Sequence, residues 1–304
     1  MTLRIAMTGA TGFVGAETLN QALESGYYVS ALTRRAQPPR ARLKWVPGSL
    51  DDAAALDTLV RDVDAVIHIA GVVNAPDRDS FEVGNARGTI AVVDAMRKRG
   101  VRRLVHVSSL AAREPGLSDY GWSKELAERH VKASGLDWTI VRPPAIYGPG
   151  DQEMLELFRM AKRGVMLLPP GGRLSVIEVS DLARLLLTLT GETDMSLAQT
   201  YEVDDGTPQG WDHQDFGQAI GHALGRTVRT MATPAWLLGA GARMDRFFRG
   251  KGAKLTPDRV RYFCHPDWVA AMGQHPPRAL WSPEVATEDG LKATVQAYRV
   301  KGWL

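Results

Sequence analysis

The stretch "RIAMTGATGFVGAETLNQALESG" (residues 4–26) decides the fold of this chain. An apolar run is followed by three glycines, Gly9, Gly12 and Gly15, and then by a segment with helical spacing. Glycines placed where a strand passes into a helix let the backbone approach a bound group, and the free N–H groups of the helix attract an anion. The spacing is G-x-x-G-x-x-G, a variant of the dinucleotide fingerprint G-x-G-x-x-G, and it predicts a phosphate-binding loop.

Further along the chain, short β-rich runs alternate with helical segments. Several runs, such as "AVIHIA" (65–70), are apolar almost throughout, which is typical of parallel strands covered on both faces. We therefore predict an α/β fold with a doubly wound parallel sheet, whose ligand lies beyond the carboxyl ends of the strands. The predicted strands are Leu3–Thr8, Tyr28–Thr33, Leu43–Val46, Ala65–Ala70, Leu104–Ser108 and Trp138–Val141.

The alternation stops near residue 150, where the sequence becomes richer in Gly, Pro and Trp. We predict a dinucleotide-binding Rossmann domain over 1–150, to which 175–205 returns. The strand for this return is expected in "QTYEVDDG" (199–206). The segments 151–174 and 206–304 are expected to form a smaller, mixed substrate lobe.

Composition excludes several classes of protein. The chain has 304 residues, 44% hydrophobic and 23% charged, which suits a folded protein with a large core. Cys264 is its only cysteine, and its seven histidines show no metal-ligand spacing, so neither disulfides nor a metal site are expected. A net charge of +3 without an arginine-rich tract argues against nucleic acid. No transmembrane segment or signal peptide is apparent, so we expect a cytoplasmic protein with a small-molecule substrate.

The end of the second strand indicates which cofactor is used. An acidic residue there would bind the ribose hydroxyls of NAD, whereas a basic residue would pair with the extra phosphate of NADP. This chain has Arg34 and Arg35, preceded by Thr33, whose hydroxyl is a further donor. The sequence favours NADP(H) over NAD(H); the alternative reading is that the arginines only solvate a loop.

Candidate catalytic residues follow the fifth strand. Tyr120 and Lys124 are four residues apart at the start of a helix, so both side chains project from one face. An adjacent ammonium lowers the pKa of a phenol and makes it a usable acid or base near neutral pH. Ser108 and Ser109 end the strand at the same sheet edge as the glycine loop, where a hydroxyl could polarise a substrate carbonyl.

These residues resemble the short-chain dehydrogenase/reductase superfamily, in particular its extended and atypical branches, the NAD-dependent epimerase/dehydratase-like proteins. The resemblance covers nearly the whole chain. It rests on "TGATGFVG" (8–15), "GSLDD" (48–52), "HIAG" (68–71), "NARGT" (85–89), "VSSLAA" (107–112), "YGWSK" (120–124), "VRPPAIYGPGD" (141–151) and "VSDLA" (179–183).

The resemblance implies a role for each matching residue. Tyr120 would be the acid/base, Lys124 would hold the nicotinamide ribose and lower the tyrosine pKa, and Ser109, rather than Ser108, would polarise the substrate. Asn85 would be structural. The residues implied to contact the cofactor are Gly9, Thr11, Gly12, Phe13, Val14, Gly15, Thr33, Arg34, Ser49, Leu50, Ala70, Gly71, Ser108, Tyr120, Lys124 and Pro143.

Two departures from the family pattern shape the expected function. Ser49 stands where the family usually has an aspartate that contacts adenine, so either Asp51 or a backbone group serves instead or this contact is absent. Only ten residues separate Ser109 from Tyr120, a shorter connection than nucleotide-sugar epimerases carry. We therefore expect an NADP(H)-dependent oxidoreductase acting on a carbonyl or secondary alcohol. The alternatives are an NAD(P)-dependent epimerase/dehydratase and a non-catalytic nucleotide sensor, and a homodimer is a family expectation.

Two C-terminal segments also carry expectations. The segment 234–263 mixes aromatic with basic residues and could lie on an anionic membrane, but the favoured interpretation is a helix whose aromatics pack on the core of the lobe. At the end of the chain, Leu291, Val295 and Tyr298 are expected to share the buried face of a closing helix.

Overall fold

The computed structural model describes residues 3–191, 193–249 and 256–304. Its strands are β1 (Arg4–Thr8), β2 (Tyr28–Thr33), β3 (Leu43–Pro47), β4 (Ala65–His68), β5 (Arg103–Val107), β6 (Asp137–Arg142), β7 (Ala145–Tyr147), β8 (Val165–Leu168), β9 (Arg173–Leu174), β10 (Val176–Glu178), β11 (Gln199–Glu202), β12 (Trp211–Asp212), β13 (Arg229–Ala232) and β14 (Asp267–Trp268).

Its α-helices are α1 (Phe13–Glu24), α2 (Ala53–Leu59), α3 (Arg78–Phe81), α4 (Gly88–Arg99), α5 (Asp119–Lys132), α6 (Leu155–Lys162), α7 (Val179–Thr188), α8 (His213–Ala223), α9 (Ala235–Arg249), α10 (Pro257–Phe263) and α11 (Thr287–Val300). A π-helix spans Glu82–Arg87, and a 3-10 helix spans Leu110–Arg113.

The main sheet has seven parallel strands in the order β11-β6-β5-β4-β1-β2-β3. The doubly wound parallel sheet predicted from the sequence is therefore confirmed. β1 lies between β2 and β4, so the order of the strands along the chain reverses beside β1. Ligands of such sheets bind at this reversal, outside the carboxyl ends of the strands.

The predicted strands lie within two residues of the observed ones at each end. Tyr28–Thr33 has the predicted bounds, whereas the fourth strand ends at His68 rather than Ala70. Residues 69–71 therefore leave the sheet as a loop, and the fifth strand likewise ends one residue before Ser108.

Contacts divide the chain into two units. Unit 1 contains residues 1–142, 182–202 and 276–282, and unit 2 contains residues 143–181, 203–275 and 283–304.

Unit 1 contains the seven-stranded sheet, and its core lies between the sheet and the helices packed on it. Aliphatic side chains from β1, β4 and β5, such as Ala6, Val66 and Leu104, meet others from α2 and α4, such as Leu56 and Val92. These side chains are almost completely buried. Strands without an exposed face explain why the sequence shows continuous apolar runs rather than alternation.

Unit 2 is built from small sheets and helices. β7 pairs with β10, β8 with β13, and β9 with both β12 and β14. Its separate core includes Leu291, Val295 and Tyr298 of α11. All three are buried, as the spacing predicted for the closing helix.

The expectation for 234–263 is wrong where it can be compared with the structure. The aromatic side chains Trp236, Phe247 and Phe248 of α9 are exposed rather than packed on a core. Lys251 and Lys254 lie outside the described residues, as do the side chains of Arg246 and Arg249. Within the described part of the chain, no helix combines the length and the hydropathy needed to cross a bilayer.

Candidate functional site

The glycine loop between β1 and α1 is packed too closely for side chains. Gly9 has φ +74°, a conformation that L-residues with a Cβ rarely adopt. A Cβ on Gly9 would lie 2.7 Å from the backbone nitrogen of Ala70, and one on Gly15 would collide with the carbonyl oxygen of Gly9. The N–H of Gly12 donates to that same oxygen at 2.9 Å. The loop is therefore a tight turn whose backbone lies close to residues 69–70, which follow β4.

The first turn of α1 suits a phosphate group. Its N-cap, Gly12, makes no side-chain capping hydrogen bond, and the first turn contains no acidic residue. Thr11 and Gly12 are exposed, and Phe13 and Val14 are half-buried. A glycine cradle below the positive end of a helix dipole fits the pyrophosphate of a dinucleotide.

The end of β2 presents an exposed cation. Arg34 is exposed, directly after the buried Thr33. The Thr33 hydroxyl donates to the carbonyl oxygen of Arg35 at 2.7 Å and accepts from its N–H at 3.3 Å. The hydroxyl hydrogen of Thr33 is therefore used in a hydrogen bond within the turn that contains Arg34.

The end of β3 contributes a second polar turn. Ser49 donates a short hydrogen bond to Asp51, and this bond lowers the pKa of the Asp51 carboxyl. Asp52 caps α2 by accepting from the N–H groups of Ala54 and Ala55. Ser49 and Asp51, the two residues considered for adenine, are therefore partners of each other.

The loop after β4 is fixed from both sides. The Ala70 N–H donates to the Thr8 hydroxyl at 3.2 Å. The Asn85 carboxamide oxygen accepts from the Val72 N–H at 2.8 Å, and its nitrogen donates to the Val72 carbonyl and to the Ser123 hydroxyl. Asn85 lies in the π-helix, a distortion often found at functional sites. It ties the loop that carries Ala70 and Gly71 to α5.

Lys124 is the buried cation of this sheet edge. Only 5% of its surface is exposed, and its Nζ donates to the Val107 carbonyl at the end of β5 at 2.8 Å. Burial lowers the pKa of Lys124 to about 8, against the opposing field of Glu128. A Cβ on Gly71 would lie 3.6 Å from Nζ. Lys124 therefore lies next to the loop that follows β4.

The two serines after β5 have different partners. Ser108 donates to the Glu128 carboxylate at 2.6 Å, so its hydroxyl hydrogen is engaged in a buried bond. Ser109 accepts from the Ala111 N–H at 3.2 Å, which uses a lone pair and not the hydroxyl hydrogen. Of the two, Ser109 is the better placed to donate to a substrate oxygen.

Tyr120 is the second residue of α5. The Ser118 hydroxyl caps this helix by accepting from the Gly121 N–H at 3.0 Å. The Tyr120 ring is half-buried and lies 6.0 Å from the ring of Phe81, measured between centroids.

Gly121 is a positioning residue that the sequence analysis missed. A Cβ at this position would lie 2.5 Å from the Ala111 carbonyl oxygen, so α5 and the 3-10 helix touch through their backbones. Ser109 is the N-cap of that 3-10 helix. The contact therefore fixes the element that follows Ser109 against the helix that carries Tyr120. The only sequence signal was the glycine next to the tyrosine in "YGWSK".

A buried ion network behind the serines was also missed. The Glu128 carboxylate accepts from Arg142 Nε and Nη2 at 2.8 and 2.7 Å. Arg142 also pairs with Glu202 at 3.4 Å, and Glu202 pairs with Arg113 at 3.3 Å. The two carboxylates are 2% exposed. The position of Glu128, one helical turn after Lys124, was the available signal.

The remaining predicted residues fall in two places. Leu50 packs against Gly88, where a Cβ would meet its side chain at 2.6 Å. Pro143 directly follows β6 and is the first residue of unit 2. The other predicted residues belong to unit 1 and lie in the loops after β1 to β5, in the first turn of α1, at the end of β2 or on α5.

Comparisons with known proteins show the family to which the chain is related. Residues 9–189 match a protein family described as NAD(P)H-binding. The chain is 34% identical to "Ceramide reductase" of Caulobacter vibrioides, over 99% of this chain and 96% of the relative. It is 24% identical to "UDP-glucose 4-epimerase" of Vibrio cholerae, over 97% and 95% of the two chains.

Among solved structures, MoeE5 in complex with UDP-glucose and NAD superposes with a TM-score of 0.75. The match covers 98% of this chain and 99% of MoeE5, at 21% identity. At this identity the likeness establishes the shared fold.

Proposed function

This chain belongs to the NAD(P)H-binding family, in the extended branch of the short-chain dehydrogenase/reductase superfamily, and we propose that it is an NADP(H)-dependent reductase of a lipid ketone. That it is an oxidoreductase with a nicotinamide cofactor follows from the family and from relatives named as reductases and dehydrogenases. The proposal concerns the phosphate on the cofactor, the substrate class and the residues that act.

The buried ammonium of Lys124 is the observation that carries the catalytic proposal. A cation next to the Gly71 loop and at the end of β5 is costly to bury, which is accepted where a function needs the charge. Since Lys124 lies on the helix that also carries Tyr120, its charge can stabilise a phenolate. Ser109 lies two residues after the end of β5 and supplies a hydroxyl donor.

The residues divide the chemistry as follows. When bound, the reduced nicotinamide supplies a hydride to the carbonyl carbon of the substrate. The Ser109 hydroxyl donates a hydrogen bond to the carbonyl oxygen and stabilises the charge that develops there. Tyr120 transfers its phenolic proton to that oxygen, so a ketone becomes a secondary alcohol. Lys124 stabilises the tyrosinate that remains until a proton from solvent restores the phenol.

The lipid substrate is inferred from the ceramide reductase, which is 34% identical to this chain over nearly its whole length. That relative is named for a ceramide, a lipid whose headgroup region carries a secondary alcohol. Reduction of the corresponding ketone is the reaction that Ser109, Tyr120 and Lys124 can perform. We therefore propose a long-chain keto amide as the substrate. The substrate lobe expected over 151–174 and 206–304 remains part of this proposal.

The NADP(H) preference rests on Arg34. An exposed guanidinium at the end of β2 can pair with the extra phosphate of NADP in a bidentate way. Lys44, an exposed cation on the neighbouring strand β3, offers a matched control.

The test is to titrate NADPH and NADH into the wild type, Arg34→Ser and Lys44→Ser, following nicotinamide fluorescence at fixed salt. We expect the wild type and Lys44→Ser to bind NADPH at least tenfold more tightly than NADH, which corresponds to about 1.4 kcal/mol. Arg34→Ser should lose this preference and keep its NADH affinity. Equal affinities in the wild type would overturn the assignment of Arg34.

Two further expectations from the sequence remain proposals. We propose that the protein works in the cytoplasm and that it forms a homodimer. Light scattering on the eluate of a size-exclusion column would give the mass, which is expected to be twice the 33.2 kDa of one chain.

A further inference from the structure

Helix α9 has its apolar face outward. Trp236, Phe247 and Phe248 are 73%, 84% and 76% exposed, and Leu237 and Met244 are also exposed. At 3.6 residues per turn these five side chains fall within about 120° of the helix circumference. Ala242, on the opposite side of the helix, is completely buried. The helix therefore buries the small Ala242 on one side and exposes its large apolar side chains on the other.

The pair of strands that comes before α9 along the chain also exposes large apolar side chains. Val165 and Leu167 of β8 and Met231 of β13 are exposed, and Met231 lies opposite Leu167 in the register of the pair. β13 ends at Ala232, and α9 begins three residues later. We call the eight exposed residues the apolar face: Val165, Leu167, Met231, Trp236, Leu237, Met244, Phe247 and Phe248.

The apolar face is a concentration and not a scatter of single residues. Fifteen large hydrophobic residues are exposed in the part of the chain that the structure describes, and eight of them belong to this face. Single exposed hydrophobic residues are common on soluble proteins, whereas clusters of this kind mark sites of interaction.

The charge of the sequence segment that contains α9 indicates what covers the apolar face. Residues 235–255 contain five Lys or Arg and one Asp, a net charge of +4, although the whole chain carries only +3. The remainder of the chain is thus net −1. Arg243, between Trp236 and Phe247 along the helix, is exposed. The occupant should therefore be apolar at its centre and negatively charged at its surface.

An anionic bilayer meets both requirements. Aromatic and leucine side chains on one side of a helix, accompanied by Lys and Arg, bind at the boundary between headgroups and acyl chains. Basic residues near such a surface are attracted by its anionic headgroups. A second copy of the same face would instead bring two segments of charge +4 together.

We propose that α9 and the β8–β13 pair dock on the surface of an anionic lipid bilayer, with Trp236, Phe247 and Phe248 inserted at the headgroup boundary. The contact is peripheral and does not span the membrane. We infer this contact from the exposure of the apolar face and the charge of the segment 235–255, and neither depends on the identity of the reductase substrate.

Flotation with lipid vesicles tests the proposal on the full chain. The vesicles contain either phosphatidylcholine alone or phosphatidylcholine with about 30% phosphatidylglycerol. The wild type should float with the anionic vesicles and bind the neutral ones at least tenfold more weakly, and high salt should release part of it. The triple variant Trp236→Ser/Phe247→Ser/Phe248→Ser should lose at least tenfold in binding.

Two further variants guard against misfolding and nonspecific adhesion. Met272→Ser/Val300→Ser removes two equally exposed apolar side chains outside the apolar face, at 84% and 83% exposure, and should bind like the wild type. Arg243→Glu should weaken binding to anionic vesicles only. The melting temperature and the NADPH affinity of every variant should match the wild type.

Three outcomes would overturn the proposal. The wild type could remain in the soluble fraction with anionic vesicles, or the triple-serine variant could float as well as the wild type. In the third outcome, the wild type does not bind vesicles and forms a dimer, whereas the triple-serine variant is a monomer. This outcome would assign the apolar face to contact with a second copy of the chain.

Discussion

At the level of the single residue, the charge of Lys124 favours solvent whereas its position in the fold is buried. Its ammonium needs solvation, yet the side chain is buried, where Nζ donates to the Val107 carbonyl. The cost of burial appears as the lowered pKa, about 8. The group still carries its charge at neutral pH, and a charge held in a poorly solvated site acts strongly on a nearby phenol.

The first prediction concerns Tyr120. Tyr120→Phe removes only the hydroxyl and should lower the rate of ketone reduction by about 10²- to 10⁴-fold, since proton transfer by a positioned side chain contributes that much. The Kd of NADPH should change little. Steady-state kinetics and a fluorescence titration measure the two quantities, with Tyr28→Phe, a 50% exposed tyrosine on β2, as the control. Full turnover in Tyr120→Phe would remove Tyr120 from the mechanism.

The second prediction concerns the charge of Lys124. Because its pKa is lowered to about 8, the ammonium is present below this pH and lost above it. The reduction rate should therefore fall as the pH rises through about 8. Lys124→Met should be slower at every pH and lack this inflection. The measurement is a pH profile of kcat/KM for the wild type and Lys124→Met. If the inflection were unchanged in Lys124→Met, it would arise from another group.

At the scale of elements, helix α5 organises the site. It carries Tyr120 in its first turn, and it places Lys124 against the end of β5, Ser123 against Asn85 and Glu128 against Ser108. Its first turn touches the 3-10 helix after Ser109. The geometry of the site therefore depends on contacts that α5 makes along its whole length.

The third prediction tests the contact at Gly121. In Gly121→Ala the new Cβ would lie 2.5 Å from the Ala111 carbonyl oxygen, so the two helices must move apart. We expect a loss of about 1–3 kcal/mol in the free energy of unfolding, as for other overpacked positions. The kcat should fall at least tenfold, because small misplacements of reacting groups are costly.

Gly116 supplies the control for this contact. It lies in the same connection, and a Cβ there would have no neighbour within 4 Å. Gly116→Ala should leave kcat and stability unchanged. If Gly121→Ala behaved like Gly116→Ala in both assays, the backbone contact would have no role in positioning Ser109 and Tyr120.

The fourth prediction concerns the ion network under the serines. Glu128→Gln removes a buried charge and leaves Arg142 with fewer compensating partners. Breaking a buried pair from one side typically costs 3–5 kcal/mol, so we expect a loss of about 3 kcal/mol in urea unfolding.

A second ion pair on α5 is the matched control for Glu128. Glu125 pairs with Arg129, which is 62% exposed, so Glu125→Gln should cost less than about 1 kcal/mol. Equal losses in the two variants would mean that burial does not strengthen the role of Glu128.

At the scale of the molecule, two buried histidines make stability depend on pH. His68 and His106 stack in unit 1 at 5.4 Å between ring centroids, and each is 1% exposed. Burial, assisted by the charge of Lys124, lowers the pKa of His68 to about 3 and places that of His106 well below its usual value. Below pH 6.5 the unfolded chain therefore binds protons that the folded chain does not.

The fifth prediction follows from this difference in proton binding. The contribution of these two histidines to the free energy of unfolding is fully present above pH 6.5. It is lost as the pH falls, by about 1.4 kcal/mol per pH unit for each histidine, or about 4 kcal/mol in total at pH 5. Urea unfolding at pH 7.5 and pH 5 measures this loss. His106→Leu, which removes one of the two groups, should halve it. A loss that is unchanged in His106→Leu would mean that His106 does not titrate on unfolding.

The sequence predicted the parallel sheet because strands buried on both faces leave continuous apolar runs, as in 65–68. It predicted the glycine loop because close backbone approach tolerates no other residue there. It did not predict the ion network, since Glu128, Arg142 and Glu202 are far apart in the chain. It misjudged α9, because spacing identifies an apolar side of a helix without telling whether that side faces a core or the surroundings.

The central claim is net reduction of a substrate ketone by NADPH, and isotope transfer tests it most directly. The protein is incubated with NADPH deuterated at the transferred C4 position and with a long-chain keto amide in mixed micelles. We expect one NADPH to be consumed per alcohol formed, with deuterium on the new carbinol carbon. Isomerised product without net NADPH consumption would contradict net reduction and support the epimerase alternative. Binding of NADPH without turnover of any ketone would also contradict it and would support a nucleotide sensor.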